Sequence, residues 1–210
     1  MQYIKKVVYL FLLIGVSSAS AGAFEDFFRA VRTDNARAVN DLLSRGFDPN
    51  SHEESGQSAL TLAVREGAKQ VVDVLLKSPQ LSVDAANQFG ETGLMFAALK
   101  GDLALVRRLV ERGAAVNRAG WNALHYAASG PEPEVVAWLL AQGAEIEARS
   151  PNGTTALMMA ARYGSEQSAD LLLAKKASTE ARNERGMTAA DFARAGGREV
   201  LAKRLESRLR

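Results

Sequence analysis

The stretch GWNALHYAASG, residues 120–130, holds one of the two tryptophans and one of the two histidines of the chain, Trp121 and His125. Taken alone, the stretch permits a chemical interpretation, with tryptophan beside a glycine turn as a ligand platform and histidine on a helix as a catalytic group. Both residues could equally pack inside a core. The choice depends on whether the stretch occurs once or is one copy of a repeated unit.

The pattern of residues 120–130 recurs along the chain. Its glycine is found at positions 56, 90, 120, 153 and 186, with steps of 34, 30, 33 and 33 residues. An alanine seven residues after each glycine keeps the same steps, and Ala30 marks a degenerate earlier copy in FEDFFRAVRTDN. Self-similarity at this period predicts a repeat architecture, in which each unit buries its apolar face only against its neighbours.

A second signal follows each of these alanines. An apolar pair ends thirteen residues later, as in Leu75-Leu76, Leu139-Leu140 and Leu172-Leu173. The segments RGFDPN, RGAAVN and QGAEIE then place a glycine just past the apolar pattern, which is typical of a helix C-terminus. Lys176 stands where other copies have this glycine, so a left-handed backbone there would cost about 1–2 kcal/mol.

These segments resemble the ankyrin repeat, a unit of a β-turn and two helices with a T-P-L-H-x-A signature. The tetrapeptides that match it are Ser58-Ala59-Leu60-Thr61, Thr92-Gly93-Leu94-Met95, Asn122-Ala123-Leu124-His125 and Thr155-Ala156-Leu157-Met158, all without the family's proline. The resemblance covers essentially all of the chain after its N-terminus. It implies an all-α ankyrin-repeat solenoid of helix-turn-helix units with short β-turn fingers.

The repeat boundaries give the predicted domain organisation. A signal peptide over residues 1–21 precedes an N-terminal capping repeat, four ankyrin repeats and a C-terminal capping repeat. The capping and central repeats are residues 24–55, 56–89, 90–119, 120–152, 153–185 and 186–210.

One finger departs from the pattern. From the residue before the polar tip to the turn glycine, four copies span seven residues, as in Val83 to Gly90, whereas Val116 to Gly120 spans four. A finger shortened by three residues would open a notch in the row, with Trp121 at its base. The loop KSPQLSVD after Leu76 is also irregular, since it has one extra residue and no glycine.

The N-terminus is typical of a secretory signal peptide. Lys5 and Lys6 precede an apolar run from Val7 to Val16, and small residues follow. The run is short for a membrane span. Two cleavage sites compete, after Ala21 or after Ala23, and we favour Ala21. Export is therefore predicted, to the bacterial periplasm or outside the cell, with no membrane anchor after cleavage.

Charge and composition narrow the function. The chain has 26 basic and 24 acidic residues, so loss of Lys5 and Lys6 would leave equal numbers and no basic field for nucleic acid. Without cysteine it cannot form disulfides. His52 and His125 lie in different repeat contexts, and zinc requires three or four ligands, so no metal or cofactor is expected.

Two residue sets could have served catalysis. The resemblance assigns His125 to the family's own histidine position, where it forms structural hydrogen bonds. Glu132 and Glu134 form a carboxylate pair, but Pro133 suits the first turn of a helix and Glu134 complements its dipole. Both sets therefore favour a structural role over catalysis.

The resemblance implies that partners bind the finger tips and the exposed face of each first helix, which together form a concave surface. We expect Phe89, Leu99, Trp121 and Tyr163 to lie close together there, with the aromatic and arginine composition of a binding hot spot. The predicted partner-binding residues are Phe89, Glu91, Leu99, Lys100, Trp121, Thr154, Arg162, Tyr163 and Met187.

The predicted function is non-catalytic binding of another protein, as a monomer, with inhibition, protection or assistance of a periplasmic partner as the consequence. Two alternatives stay open. The chain could be a structural scaffold or self-assembling envelope component, or an enzyme with an unrecognised site.

Overall fold

The computed structural model describes residues 22–207. The predicted signal peptide, residues 1–21, lies outside these residues, and the structure does not bear on where it is cleaved. The backbone divides between Leu81 and Ser82 into two compact units. In the described residues, the regular secondary structure is helical, joined by turns and loops, with one isolated bridge between His52 and Ser58. The predicted all-α ankyrin-repeat fold is therefore confirmed.

The first unit contains four helices in its described part. They are α1 (22–32), α2 (Ala36–Ser44), α3 (Ala59–Glu66) and α4 (Lys69–Lys77). Helix α4 packs against α2 and α3. Phe27 lies at the centre of an aromatic cluster, with its ring stacked 4.3 Å from that of Phe47. Asp34, which follows α1, accepts a hydrogen bond of 2.9 Å from the Val71 amide in the first turn of α4.

The second unit contains eight helices in its described part. They are α5 (Gly93–Leu99), α6 (Leu103–Glu111), α7 (Ala123–Ser129), α8 (Pro133–Ala141), α9 (Ala156–Arg162), α10 (Glu166–Ala174), α11 (Ala189–Ala195) and α12 (Glu199–Glu206). The odd-numbered members are the first helices of their repeats, and each packs against the next in the order α5, α7, α9, α11. Each also packs against its own second helix, which gives two layers.

The first helices begin at the residues that open the ankyrin-like tetrapeptides. In each, a hydroxyl or amide oxygen accepts a hydrogen bond from a backbone amide of the first turn, which would otherwise lack a partner. These capping residues are Ser58, Thr92, Asn122, Thr155 and Thr188.

The second helices mostly end in a left-handed residue. Gly113 and Gly143 adopt φ values of +98° and +84°, and Lys176 adopts +66° at the corresponding position after α10. Lys176 is thus in the left-handed conformation whose cost was considered from the sequence. Its Cβ crowds the backbone, which is the cost that glycine avoids.

His125 is a buried link between repeats rather than a surface group. It is 0% exposed, and its Nε2–H donates a hydrogen bond of 2.9 Å to the Thr154 carbonyl of the following finger. Its Nδ1 lies 2.8 Å from the Asn122 side-chain oxygen at the start of the same helix. Burial lowers the pKa of His125, although the hydrogen bond to Thr154 opposes this shift. The ring is thus in the structural position that the resemblance implied.

Replacing Lys176 by glycine should stabilise the protein. The left-handed lysine costs about 1–2 kcal/mol relative to glycine. Glycine lowers this gain by about 0.4–1 kcal/mol, because it raises the conformational entropy of the unfolded chain. We expect a net gain of about 0.5–1 kcal/mol in the free energy of unfolding, measured by denaturant titration. Lys175→Gly is the matched control, because Lys175 has a φ of −87° and should gain nothing. Equal effects of the two substitutions would contradict the strain argument.

The burial of His125 should make stability depend on pH. Because the folded pKa lies below the ordinary value of 6.5, the unfolded chain takes up a proton that the folded chain resists. The free energy of unfolding should therefore fall as the pH drops below 6.5. Denaturant titrations at about pH 7.5 and about pH 5.5 should show a larger loss in the wild type than in His125→Gln. A loss of the same size in both proteins would show that His125 does not titrate in this way.

Candidate protein-binding site

The fingers of the second unit are small hairpins closed by polar residues. In the finger before α5, the Asn87 amide donates to the Glu91 carbonyl and the Gly90 amide donates to the Asn87 carbonyl, both at 2.9 Å. Ser150 and Asn183 make the same pair of backbone bonds in their fingers. Their side chains also accept bonds from the turn amides. Each of these fingers therefore holds a defined shape without help from a partner.

The short finger lacks the residue that closes the others. Between Asn117 and Gly120, the three-residue deletion removes the counterpart of Asn87, and no such backbone pair forms there. Asn117 instead bonds to the next loop, where it accepts from the Glu145 amide at 2.9 Å and donates to the Gly143 carbonyl at 2.8 Å. The predicted irregularity is thus a finger without a tip, anchored at its base.

Phe89 is the outermost side chain of its finger. It is 70% exposed, although the Phe89 amide donates a 2.9 Å hydrogen bond to the Asn87 side chain. A large apolar group on an ordered turn, with its surface open to water, has the features of a partner anchor.

Trp121 is half-buried. Its indole ring packs edge-on against the His125 ring, with centroids 5.2 Å apart and planes at 77°. The side chain therefore supports the buried histidine with part of its surface and leaves the remainder accessible. The packing role is therefore observed, and the accessible part of the ring leaves partner contact as a prediction.

Glu91 makes contacts inside the protein. One carboxylate oxygen accepts a hydrogen bond of 2.6 Å from the Tyr126 hydroxyl. The other accepts one of 2.7 Å from the side-chain amide of Asn87. Burial and the nearby carboxylate raise the pKa of Tyr126 well above its ordinary value. Glu91 therefore joins two repeats, and its remaining surface is small.

The prediction for Thr154 as a contact residue is wrong, because this residue is 1% exposed. Its amide donates to the Ser150 hydroxyl at 2.9 Å and its carbonyl accepts from His125. The β-turn position that leaves Trp121 partly open is therefore closed at Thr154. Met187, at the corresponding position of the last finger, is half-buried.

The far ends of the first helices carry the other predicted contacts. Leu99 and Arg162 are half-buried, Lys100 is exposed, and Tyr163 is 57% exposed. The Arg162 guanidinium lies 5.0 Å from the centroid of the Tyr163 ring, within the range of a cation–π contact.

The predicted single aromatic cluster is not formed. Across residues 22–207, no ring contact joins Phe89, Trp121 and Tyr163 to one another. The fingers precede the first helices and Leu99 and Tyr163 end them, so a seven-residue helix of about 10 Å separates the two groups. The contact residues form two rows, one at each end of these helices.

Residues that sequence reasoning missed lie between the two rows. Phe96, Tyr126 and Met159 occupy the same position in successive first helices, and each is half-buried. The rings of Phe96 and Tyr126 meet edge-on with centroids 6.1 Å apart. All three precede the repeated alanine, so their common register was the available signal.

The arrangement offers a surface for contact. Among the described residues, no group of three His, Asp or Glu side chains comes together as a metal site. Glu132 and Glu134 flank Pro133 at the start of α8, and both are exposed. Over the same part of the chain, no helix combines the length and apolarity required to cross a membrane.

Comparisons with known proteins agree with this geometry. The family model for ankyrin repeats matches residues 79–150 and 132–205. The rat ankyrin repeat and SAM domain-containing protein 6 is 37% identical over 112 residues, which are 51% of this chain and 13% of the rat protein. The chicken nuclear factor NF-kappa-B p105 subunit is 32% identical over 142 residues, which are 64% of this chain and 14% of that protein. The chain therefore spans a small part of the length of these relatives.

A solved structure matches a larger share. A chain in the complex of a predatory endopeptidase from Bdellovibrio bacteriovorus with an immunity protein superposes with a TM-score of 0.72 and 28% identity. The alignment covers 87% of this chain and 97% of that chain. Repeats of this kind are protein-interaction modules. Together with the stacked helix pairs and capped fingers, the match over residues 79–205 shows that the chain belongs to the ankyrin-repeat family.

Proposed function

We propose that this chain is a non-catalytic binding protein of the bacterial periplasm that holds an envelope hydrolase inactive. The observation that carries the proposal is the alignment over 97% of a chain from an endopeptidase–immunity protein complex. The N-terminal pattern of Lys5, Lys6 and an apolar run supports export. A bound partner would be inhibited if the ankyrin surface covers the entrance to its active site.

The second unit supports such a role through its preformed surface. The Asn87 side chain holds the finger that presents Phe89, and Asn117 ties the short finger to the next loop. Because these groups are ordered before binding, little conformational entropy is lost when a partner docks. The missing finger tip next to Trp121 would give the partner a place to contact the accessible part of the indole.

Loss of the finger aromatics should weaken partner binding. Full-length tagged protein would be used to capture its partner from a bacterial envelope extract, with wild type compared with Phe89→Ala and Trp121→Ala. Hot-spot truncations cost at least about 2 kcal/mol, so we expect the affinity for the captured protein to fall by roughly tenfold or more. Peptide-bond hydrolysis by that protein should be suppressed by wild type and less so by the two variants.

Val200→Ala is the matched control for these variants, since Val200 is also an exposed apolar residue, at 82%, but lies on α12 away from the fingers. It should bind as the wild type does. Equal capture by all four proteins would remove the finger site, and a captured hydrolase that is unaffected by the chain would contradict inhibition.

Export should be visible at the N-terminus of the protein. When the full chain is expressed in bacteria, the periplasmic form should begin at Gly22, after cleavage at Ala21. Mass spectrometry of the periplasmic and cytoplasmic fractions measures this directly. A chain that keeps Met1 and stays in the cytoplasm would contradict the proposed location.

A further inference from the structure

We propose that the ends of α5, α7 and α9 bind an acidic, extended segment of the partner protein. This inference rests on the proposed binding function and names the chemistry of one contact. The surface, which we call the trough, is formed by Leu99, Lys100, Ser129, Arg162 and Tyr163.

The middle of the trough is low because α7 ends in small residues. The Ser129 hydroxyl is turned back onto its own helix, where it donates to the His125 carbonyl at 2.8 Å. Gly130 cannot be replaced by a larger residue without a shift, since a Cβ there would lie 2.6 Å from the Leu99 carbonyl oxygen. Lys100 and Tyr163 occupy the equivalent position in the repeats on either side. Large side chains therefore stand on both sides of the end of α7, which carries none.

Both walls of the trough carry a cation without an ion pair. Within the described residues, neither Lys100 nor Arg162 lies in a salt bridge, and Arg162 is held over the Tyr163 ring. The next repeat differs, because Arg194 faces three carboxylates. These belong to Asp191, Glu199 and Glu206. The trough therefore differs from the last repeat in that its two cations have no carboxylate partner among the described residues.

A carboxylate lies nearby. The Glu132 side chain passes over Gly101, beside Lys100, and its carboxylate is exposed. It offsets part of the charge of Lys100. The neighbouring carboxylates of Asp102 and Glu166 are engaged by the Leu105 amide and by Arg198, so positive charge remains for a ligand. Arginine and lysine both form charge-assisted hydrogen bonds with carboxylates, and the planar guanidinium can hold a carboxylate with two parallel bonds.

The spacing of the walls favours an extended peptide. Helix α7 separates α5 from α9, so two packing distances of roughly 8–10 Å each lie between the cations. An extended chain advances about 3.3 Å per residue, so carboxylates about five or six residues apart can reach both walls. Apolar residues between them would rest on Leu99 and the Tyr163 ring, which are partly open to solvent.

The test selects peptides that bind the full-length protein from a random library. Random twelve-residue peptides displayed on phage should yield sequences with two Asp or Glu residues about five apart and apolar residues between them. A synthetic peptide of this sequence should bind the wild type and lose affinity as salt is raised. Lys100→Glu and Arg162→Glu should each weaken the affinity for this peptide by roughly tenfold or more.

Two further variants control this measurement. Lys175→Glu reverses the charge of an exposed lysine at the end of α10 and should leave binding unchanged. Glu132→Gln should strengthen binding severalfold, because it removes the carboxylate beside Lys100. Circular dichroism melting of every variant establishes that the folded protein is being compared.

Peptides without acidic enrichment, or equal binding by wild type and the two trough variants, would overturn the inference. Tighter binding of a twelve-residue thymidine oligonucleotide than of the acidic peptide would overturn it also, because the site would then recognise phosphate. The proposed function fails separately. If no partner is inhibited and acidic peptides still bind at the trough, only the function is lost. If a partner is inhibited through Phe89 but acidic peptides do not bind, only the trough is lost.

Discussion

The second unit depends on the approach of one repeat's backbone to the next. At the ends of α7, α9 and α11, a glycine faces a carbonyl oxygen of the preceding repeat so closely that a Cβ would overlap it. The pairs are Gly130 with Leu99, Gly164 with Ala128 and Gly196 with Arg162. Fully buried alanines such as Ala127 and Ala160 maintain this short spacing along the helices. These contacts join backbones directly, and buried leucines such as Leu124 and Leu157 fill the core beside them.

Such close packing buries polar groups, and several of them are hydrogen-bonded to a neighbouring repeat. His125 donates to the Thr154 carbonyl, and Arg198 donates to the carbonyls of Ala160, Ala161 and Gly164 at the end of α9. Along the loops, Asp84 accepts from the Ala115 amide and Glu147 accepts from the Ser178 amide. These bonds make each repeat a support for the surface of the next, which is what a preformed binding site requires.

Much of this could be predicted from the repeat pattern. The glycine and alanine spacing located the helix pairs, and the tetrapeptides marked the first helices. The alignment of Lys176 with glycines singled out the position that the structure shows to be left-handed. These features follow from local conformation and from period, which a single chain displays. The pattern also ranked Phe89 as a contact residue, and its exposure agrees with that role. By contrast, the burial of Thr154 and the pairing of Glu91 with Tyr126 depend on side chains that are distant in sequence.

By itself, the sequence determined the fold, the register of the repeats and the place of the shortened finger, because these depend on residue spacing along the chain. Only the tertiary structure decided which surface residues are free. Trp121 lies partly against His125, Glu91 is held by Tyr126, and Lys100 has no ion pair within residues 22–207. The physical reason is that exposure and charge pairing are set by the neighbouring repeat. The stretch GWNALHYAASG thus contains a buried link, His125, and beside it an indole that is half-buried against that link and half open to a partner.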